Sequence, residues 1–252
     1  MKKLFIGLLC LLLIFLSSAA VQEEDLEVPF VPTPYDVVAK MLRIAGVSKD
    51  DVVYDLGCGD GRIVIMAAEK MGARGVGVDI DPERIKESRE NAIRAKVTDR
   101  VRFLQQDLFK TDISEATVVT LYLTEEVNLK VRPKLLRELK PGTRVVSNDF
   151  DMEEWEPEKT LDVTSDYESY TIYYWVVPAN VTGTWEWIMP DSSVKERYIL
   201  QLDQRFQTVN GIVAMDTTKM IIKDSKLLGD RLQFTIDKKV KGRIETMVFE
   251  GF

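Results

Sequence analysis

Asp51-Val52-Val53-Tyr54-Asp55-Leu56-Gly57-Cys58-Gly59-Asp60-Gly61-Arg62-Ile63-Val64-Ile65-Met66-Ala67-Ala68 is the stretch on which the fold reading rests. A short apolar run, a loop with glycine at alternate positions and a second apolar run predict a strand, a tight loop and a helix. In open α/β sheets such a loop holds a ligand at the carboxyl end of its strand. A dinucleotide fingerprint would need its third glycine at position 62, where Arg62 stands. The alternative, a tight turn with no ligand, is disfavoured because three alternating glycines each cost conformational entropy on folding.

With Asp55 in front, the loop reads Asp-x-Gly-x-Gly-x-Gly. It resembles the S-adenosylmethionine (SAM) signature of Rossmann-like methyltransferases. That resemblance implies that Gly57, Gly59 and Gly61 let the backbone approach the ligand and that Asp55 accepts a hydrogen bond from the ligand's ammonium group. Gly75-Val76-Gly77-Val78-Asp79 reads as the second strand, and a carboxylate at its end, Asp79, is suited to accept both ribose hydroxyls. Asp81-Pro82 starts the following helix as cap and first residue. Val101 to Leu104 is a third strand; in the resembled superfamily an acid after it accepts the adenine amino group. This assigns Asp107 to the base and Leu108 to its ring face, with a solvated turn aspartate as the plain alternative.

Ahead of the loop, Val31-Pro32-Thr33-Pro34 sets up a helix with Thr33 as cap, Pro34 in the first turn and Gly46 as stop. The corresponding segment of the resembled enzymes packs over the cofactor, which makes Thr33 and Tyr35 cofactor-binding candidates; a cap and a packed aromatic are the alternatives. Thr117 to Leu123 forms a fourth strand, Thr124 caps a helix that Pro133 kinks or restarts, and Arg144 to Phe150 forms a fifth. Trp155, a strand near Thr160 to Val163 and Tyr170 to Val177 complete a seven-stranded α/β sheet through an antiparallel hairpin. From about residue 180 the pattern changes to five or six short antiparallel strands, with turn signals at Asn210-Gly211 and Gly229-Asp230. The expected organisation is therefore a Rossmann-like domain over residues 29–178 and a small all-β module over 180–252.

Composition narrows the partners. The 252 residues are 45% apolar, enough for a buried core, and carry a net charge of −7, which speaks against a nucleic-acid surface. The chain contains no histidine and two cysteines, Cys10 and Cys58, so a histidine base and a histidine or multi-cysteine metal site are excluded. Lys2-Lys3, the apolar run Leu4 to Leu16 and Ser17-Ser18-Ala19-Ala20 have the layout of a secretory signal over residues 1–20, with an uncleaved membrane anchor as the alternative. Either reading puts the protein outside the cytosol, in tension with a cytosolic supply of SAM.

Pro29-Phe30-Val31-Pro32, the glycine loop through Val64, Gln106-Asp107-Leu108-Phe109-Lys110, Lys134 to Leu139 and Arg144 to Ser147 together resemble one family. It comprises the membrane-anchored mitochondrial protein lysine methyltransferases that act on the ATP synthase c subunit and the adenine nucleotide translocase, with bacterial relatives. The resemblance spans residues 29–178 and implies methyl transfer from SAM to a protein lysine amine. Cys58, Asp79 and Asn148-Asp149 depart from its pattern. An acceptor pocket is expected at the ends of strands four and five, with Tyr122, Asn148 and Asp149 as catalytic candidates; a core tyrosine and a polar strand end are the plain readings. An Asn-Pro-Pro-aromatic amine motif is absent after strand four, which argues against methylation of base amines or glutamine. A small-molecule methyltransferase, and an exported binding protein with a catalytically silent domain, are the competing functions.

Overall fold

The computed structural model describes residues 29–188, 196–240 and 242–251. The segment read as a signal or anchor lies outside them, and no helix among the described residues is long and apolar enough to cross a membrane.

A seven-stranded sheet organises the first two thirds of the chain. Its strands are β1 (Val52–Leu56), β2 (Arg74–Asp79), β3 (Val101–Gln105), β4 (Val118–Leu121), β5 (Arg144–Asn148), β6 (Lys159–Ser165) and β7 (Glu168–Val176). They lie in the order β3-β2-β1-β4-β5-β7-β6. The first five are parallel, and β7 runs antiparallel to both β5 and β6. All five residues of β1 are buried, as expected for a central strand covered on both faces. The order reverses between β1 and β4, so a crevice opens there at the carboxyl ends of the strands.

Among the described residues four helices cover the sheet: α1 (Tyr35–Ile44), α2 (Arg62–Met71), α3 (Pro82–Ala95) and α4 (Glu125–Glu138). Helices α1 to α3 contribute Val38, Leu42, Ile63, Val64 and Ile85 to one apolar cluster, while α4 contributes Val127, Val131 and Leu135 to the other. Asp81 caps α3 by accepting the Glu83 N–H at 2.8 Å, and Thr124 caps α4. Pro133 does not restart α4, which runs unbroken through it. The expected Thr33 cap is also corrected: Pro34 occupies the N-cap of α1, and Thr33 is buried with no capping bond.

Among the described residues the C-terminal part contains seven strands, where five or six were expected. β8 (Gly183–Ile188), β9 (Arg197–Arg205), β10 (Thr208–Met215) and β11 (Thr218–Ile221) form one sheet; β12 (Lys223–Leu228), β13 (Arg231–Val240) and β14 (Arg243–Gly251) form another. Tyr198, Leu200, Leu202, Val213, Phe234 and Ile236 lie in their shared core. Asn210-Gly211 is not a turn but lies within β10. A Cβ on Gly211 would come within 2.6 Å of the Gln201 carbonyl, so this glycine serves close strand approach; the chain turns at Phe206 instead, with φ +53°. The two parts touch where the Ala179 N–H donates to the Gly229 carbonyl at 2.7 Å and where Phe206 stacks on Trp155 at 6.2 Å.

Candidate cofactor and acceptor site

The carboxyl end of β1 passes into the glycine loop through two N–H groups, of Gly57 and Cys58, that both donate to the Val78 carbonyl on β2 at 2.8 and 2.9 Å. Gly57 has φ +81° and faces Leu123; an added Cβ would lie 2.6 Å from the Leu123 Cδ2. The loop therefore packs flush against the chain leaving β4, which a side chain would prevent. Gly59 donates its N–H to Asp79 Oδ2 at 2.8 Å, and the Asp81 N–H reaches Asp79 Oδ1 at 3.0 Å. Each Asp79 oxygen keeps a lone pair for a ligand hydroxyl.

Asp55, buried at the end of β1, accepts the Thr120 hydroxyl at 2.7 Å. Burial raises its carboxyl to about 7, opposed by that hydrogen bond and assisted by the nearby charges of Asp79 and Asp60. A carboxyl so placed favours a ligand cation. Burial, followed by Asp55 and Asp79, also pushes the Cys58 thiol far up, so this cysteine is a packed, unreactive group.

These residues line a cavity of about 750 Å³ with Asp55, Gly57, Gly59, Asp79, Asp107, Leu108, Tyr122 and Thr33 on its wall. Its roof is the extended segment 29–33. Phe30 lies over Gly59, where a Cβ would meet the ring at 2.3 Å, and the Arg84 guanidinium lies 4.7 Å from the same ring. Arg62 holds the other end. Its Nη1 donates to the Thr33 carbonyl at 2.8 Å, its Nη2 pairs with Asp60 at 2.6 Å, and its guanidinium sits 5.0 Å from the Tyr35 ring.

Sequence candidates divide on this geometry. Tyr35 lies outside the cavity, 62% exposed, beside Arg62. Gly61 does not line it either; a Cβ there would strike Phe103 at 2.6 Å and Ser88 at 2.9 Å, so Gly61 packs the loop onto the sheet. Asp107 lines the cavity while its Oδ1 accepts the Phe109 N–H at 2.8 Å and its Oδ2 pairs with Lys110 at 3.1 Å. The roof residue Phe30 and the two arginines were not among the candidates; only contacts across the fold reveal them. Among the described residues no cluster of metal ligands occurs.

The acceptor side lies past Tyr122. Asn148 and Asp149 stand behind it at the end of β5 and do not line the cavity. Asp149 has φ +62° and is clamped to β7: its N–H donates to the Thr171 carbonyl at 2.7 Å, and its Oδ1 accepts the Thr171 N–H at 2.9 Å. Its Oδ2 accepts the Asn148 side-chain amide at 3.4 Å, and the buried Asn148 Oδ1 has no partner. Burial, then the charge and hydrogen bond of Asp149, push the Tyr122 hydroxyl up to about 12. The Tyr170 hydroxyl donates to Glu168 at 2.7 Å beside them. The charged groups acting on both tyrosines are carboxylates.

The donor set fits S-adenosylmethionine: a buried carboxyl at Asp55 could face its ammonium, Asp79 keeps lone pairs that its ribose could use, and the glycine loop allows close backbone approach. Residues 55–159 match the family model of the ANTKMT methyltransferase domain. A protein-lysine N-methyltransferase of Saccharolobus islandicus (strain REY15A) is 50% identical over 151 residues, 60% of this chain and 94% of that protein. The adenine nucleotide translocase lysine N-methyltransferase of Mus musculus is 34% identical over 133 residues, and the matched part is 52% of this chain and 57% of that protein. The chain thus spans little more than half the length of that relative. A solved structure described as an RNA methyltransferase from Salinibacter ruber, in complex with S-adenosyl-L-homocysteine, is 52% identical with a TM-score of 0.57. That match covers 66% of this chain and 100% of the solved one.

Proposed function

This chain belongs to the family of S-adenosylmethionine-dependent methyltransferases that carry the ANTKMT methyltransferase domain, and from that membership we propose that it methylates the side-chain amine of lysine in a protein. The observation that carries the reading is Tyr122 on the cavity wall at the end of β4, with the carboxylates of Asp149 at the end of β5 and Glu168 at the start of β7 close behind it. A lysine side chain brings a cation on a long apolar stem, which suits a cavity with carboxylates behind its tyrosine wall. A phosphate backbone would meet like charge there, so the acceptor named for the Salinibacter ruber protein is disfavoured for this one.

S-adenosylmethionine, when bound, supplies a methyl group on a sulfonium. The chain's own residues hold and aim the reactants. Asp55 takes the amino-acid ammonium, Asp79 the ribose, and Asp107 with Leu108 the base, while segment 29–33 keeps water from above. A lysine amine that has given its proton to solvent would receive that methyl group, and the sulfur would keep the electrons of its former bond. Positioning of this in-line displacement is the main contribution.

The apolar segment Leu4 to Leu16 supports placing this enzyme at or beyond a membrane. Incubation of the full chain with methyl-labelled S-adenosylmethionine and separated protein, RNA and metabolite fractions tests the reading. We expect label in protein, released by acid hydrolysis as methyl-lysine. Label confined to RNA or metabolites overturns the lysine assignment.

A further inference from the structure

We propose that the β9–β10 turn, with Phe206 at its tip, is a positioning device for the acceptor wall of the cavity. It fixes the loop after β5 and, through that loop, helix α4 and the Tyr122-Leu123 segment that leads into it. The inference rests on the methyl-transfer reading above and deepens it with a residue from outside the stretch that matches the family model. Phe206 has φ +53°, a left-handed conformation that glycine or asparagine adopts more easily than a bulky residue. A ring held at such a place calls for a reason beyond the turn itself. The ring stacks on Trp155 at 6.2 Å with the planes 15° apart, and the Arg132 guanidinium lies 5.3 Å from it. Both partners belong to the first part of the chain, not to the sheet that carries Phe206.

The gripped residues lie in loop 149–158, which has no helix or strand of its own. Its carbonyls are held instead by side chains from three elements. Asn128, fully buried on α4, donates from Nδ2 to the Phe150 carbonyl at 2.9 Å and to the Ser147 hydroxyl at 3.0 Å. Arg132, one turn further along α4, donates from Nη1 to the Met152 carbonyl at 2.7 Å. Trp175 on β7 donates from Nε1 to the Trp155 carbonyl at 2.6 Å, and Gln207, beside Phe206, donates from Nε2 to the Glu156 carbonyl at 2.6 Å. An exposed ion pair of Arg205 with Glu154 at 2.6 Å adds little by itself. The stacked ring is the larger contribution of the turn.

Asn128 and Arg132 are four residues apart and share one face of α4. They tie that helix to the loop just past its N-cap, Thr124, and Tyr122 and Leu123 on the cavity wall come immediately before the cap. A shift of loop 149–158 therefore passes to α4 and to the wall that aims the acceptor. An in-line displacement is sensitive to such misplacement. Asp55, Asp79 and the glycine loop are set by β1, β2 and α2, and meet this linkage where Gly57 packs on Leu123. Phe206 touches no reactant; it is a positioning residue acting through Trp155 and Arg132.

Phe206→Gly tests this without breaking the turn, since it removes the ring and relieves the left-handed backbone. Phe206→Tyr keeps the ring. Initial rates of methyl transfer from labelled S-adenosylmethionine are measured on the fraction that takes label in the assay above, well below the unfolding temperature of each variant, with SAM affinity by calorimetry. Phe206→Gly should lower the rate at limiting acceptor about tenfold with SAM affinity changed far less, and Phe206→Tyr should keep the wild-type rate. A wild-type rate in Phe206→Gly, an equal loss in Phe206→Tyr, or a loss matched by that in SAM affinity overturns the proposal.

Hydrogen exchange on the full chain needs no acceptor. Phe206→Gly should speed exchange over residues 122–132 and 148–156 while α2 and α3 keep wild-type rates. Acceleration confined to residues 204–209, or spread evenly over the chain, overturns the proposal. A wild type that labels no protein would sink the lysine reading alone, and the exchange result would still decide this one.

Discussion

The backbone N–H of Gly59 donates to the Asp79 carboxylate at 2.8 Å, so the residue assigned to the ribose also fixes the crest of the glycine loop. Asp79→Ala removes a ligand partner and a loop anchor together. SAM affinity should fall on the order of 100-fold, as expected for two charge-assisted hydrogen bonds. Asp79→Asn, whose amide oxygen can still accept the Gly59 N–H, should lose less. Calorimetric titration of both variants checks this; equal losses would mean that the loop anchor contributes nothing.

Asp55 makes cofactor affinity depend on pH. Its carboxyl is raised to about 7 by burial, and a bound ammonium favours the ionised form. Affinity should rise from pH 5.5 to about 7 and level off above it, with protons released on binding at the lower pH. Titrations at pH 6 in buffers of different ionisation enthalpy measure that release directly. None at pH 6 would contradict the assignment.

The same group links pH to stability with a definite sign. Its folded value lies above the ordinary 3.8, so the contribution is complete below about pH 4 and is lost as pH rises toward 7. Asp55→Asn should therefore stabilise the ligand-free protein at pH 8 by roughly 1 kcal/mol or more and have little effect at pH 4. It should also weaken SAM binding. Denaturant unfolding at the two pH values decides; a pH-independent effect would point to packing instead.

Arg62 and Asp60 separate stability from ligand residence. Arg62→Gln leaves the mostly buried Asp60 carboxylate without its ion-pair partner and frees the Thr33 carbonyl, so both stability and SAM residence should fall. Adding Asp60→Asn should restore most of the stability but not the residence time, because the roof segment stays untied. Stopped-flow dissociation together with thermal unfolding reads the two effects. Recovery of both in the double variant would show that Arg62 acts only through Asp60.

Gly61→Ala tests a glycine outside the cavity. Its φ of +79° and the 2.6 Å approach to Phe103 should cost about 1–3 kcal/mol, seen as a lower Tm with or without SAM. A loss seen only with ligand would return Gly61 to the binding surface.

The seven strands of the sheet and the cofactor wall were legible because they follow from short-range pattern: an apolar strand, a loop of fixed spacing, a carboxylate at a strand end. Asp55, Gly57, Gly59 and Asp79 fall into this class. Thr33 misled because Thr-Pro before an apolar helix is a capping pattern, whereas here Thr33 is buried at the end of the roof segment and lines the cavity without capping. Asn210-Gly211 misled for a related reason: the pair favours hairpin turns, but here glycine answers a close carbonyl across two strands. Phe30 and Arg62 lie in segments that carry the family resemblance, but neither they nor Arg84 show in the sequence what they touch. Their roles arise from contacts between segments distant in the chain, as does the pairing of Glu168 and Tyr170 with the ends of β4 and β5.

Gly229, at the turn between β12 and β13, rests on Gly142 at the amino end of β5, whereas the cavity opens at the carboxyl ends of the same sheet. The molecule therefore has a working pole and a holding pole. A body grasping the C-terminal sheets near that turn would approach from the pole opposite the cavity, with Tyr122 still accessible to a side chain arriving from the other direction. Immobilisation through that pole would leave turnover intact.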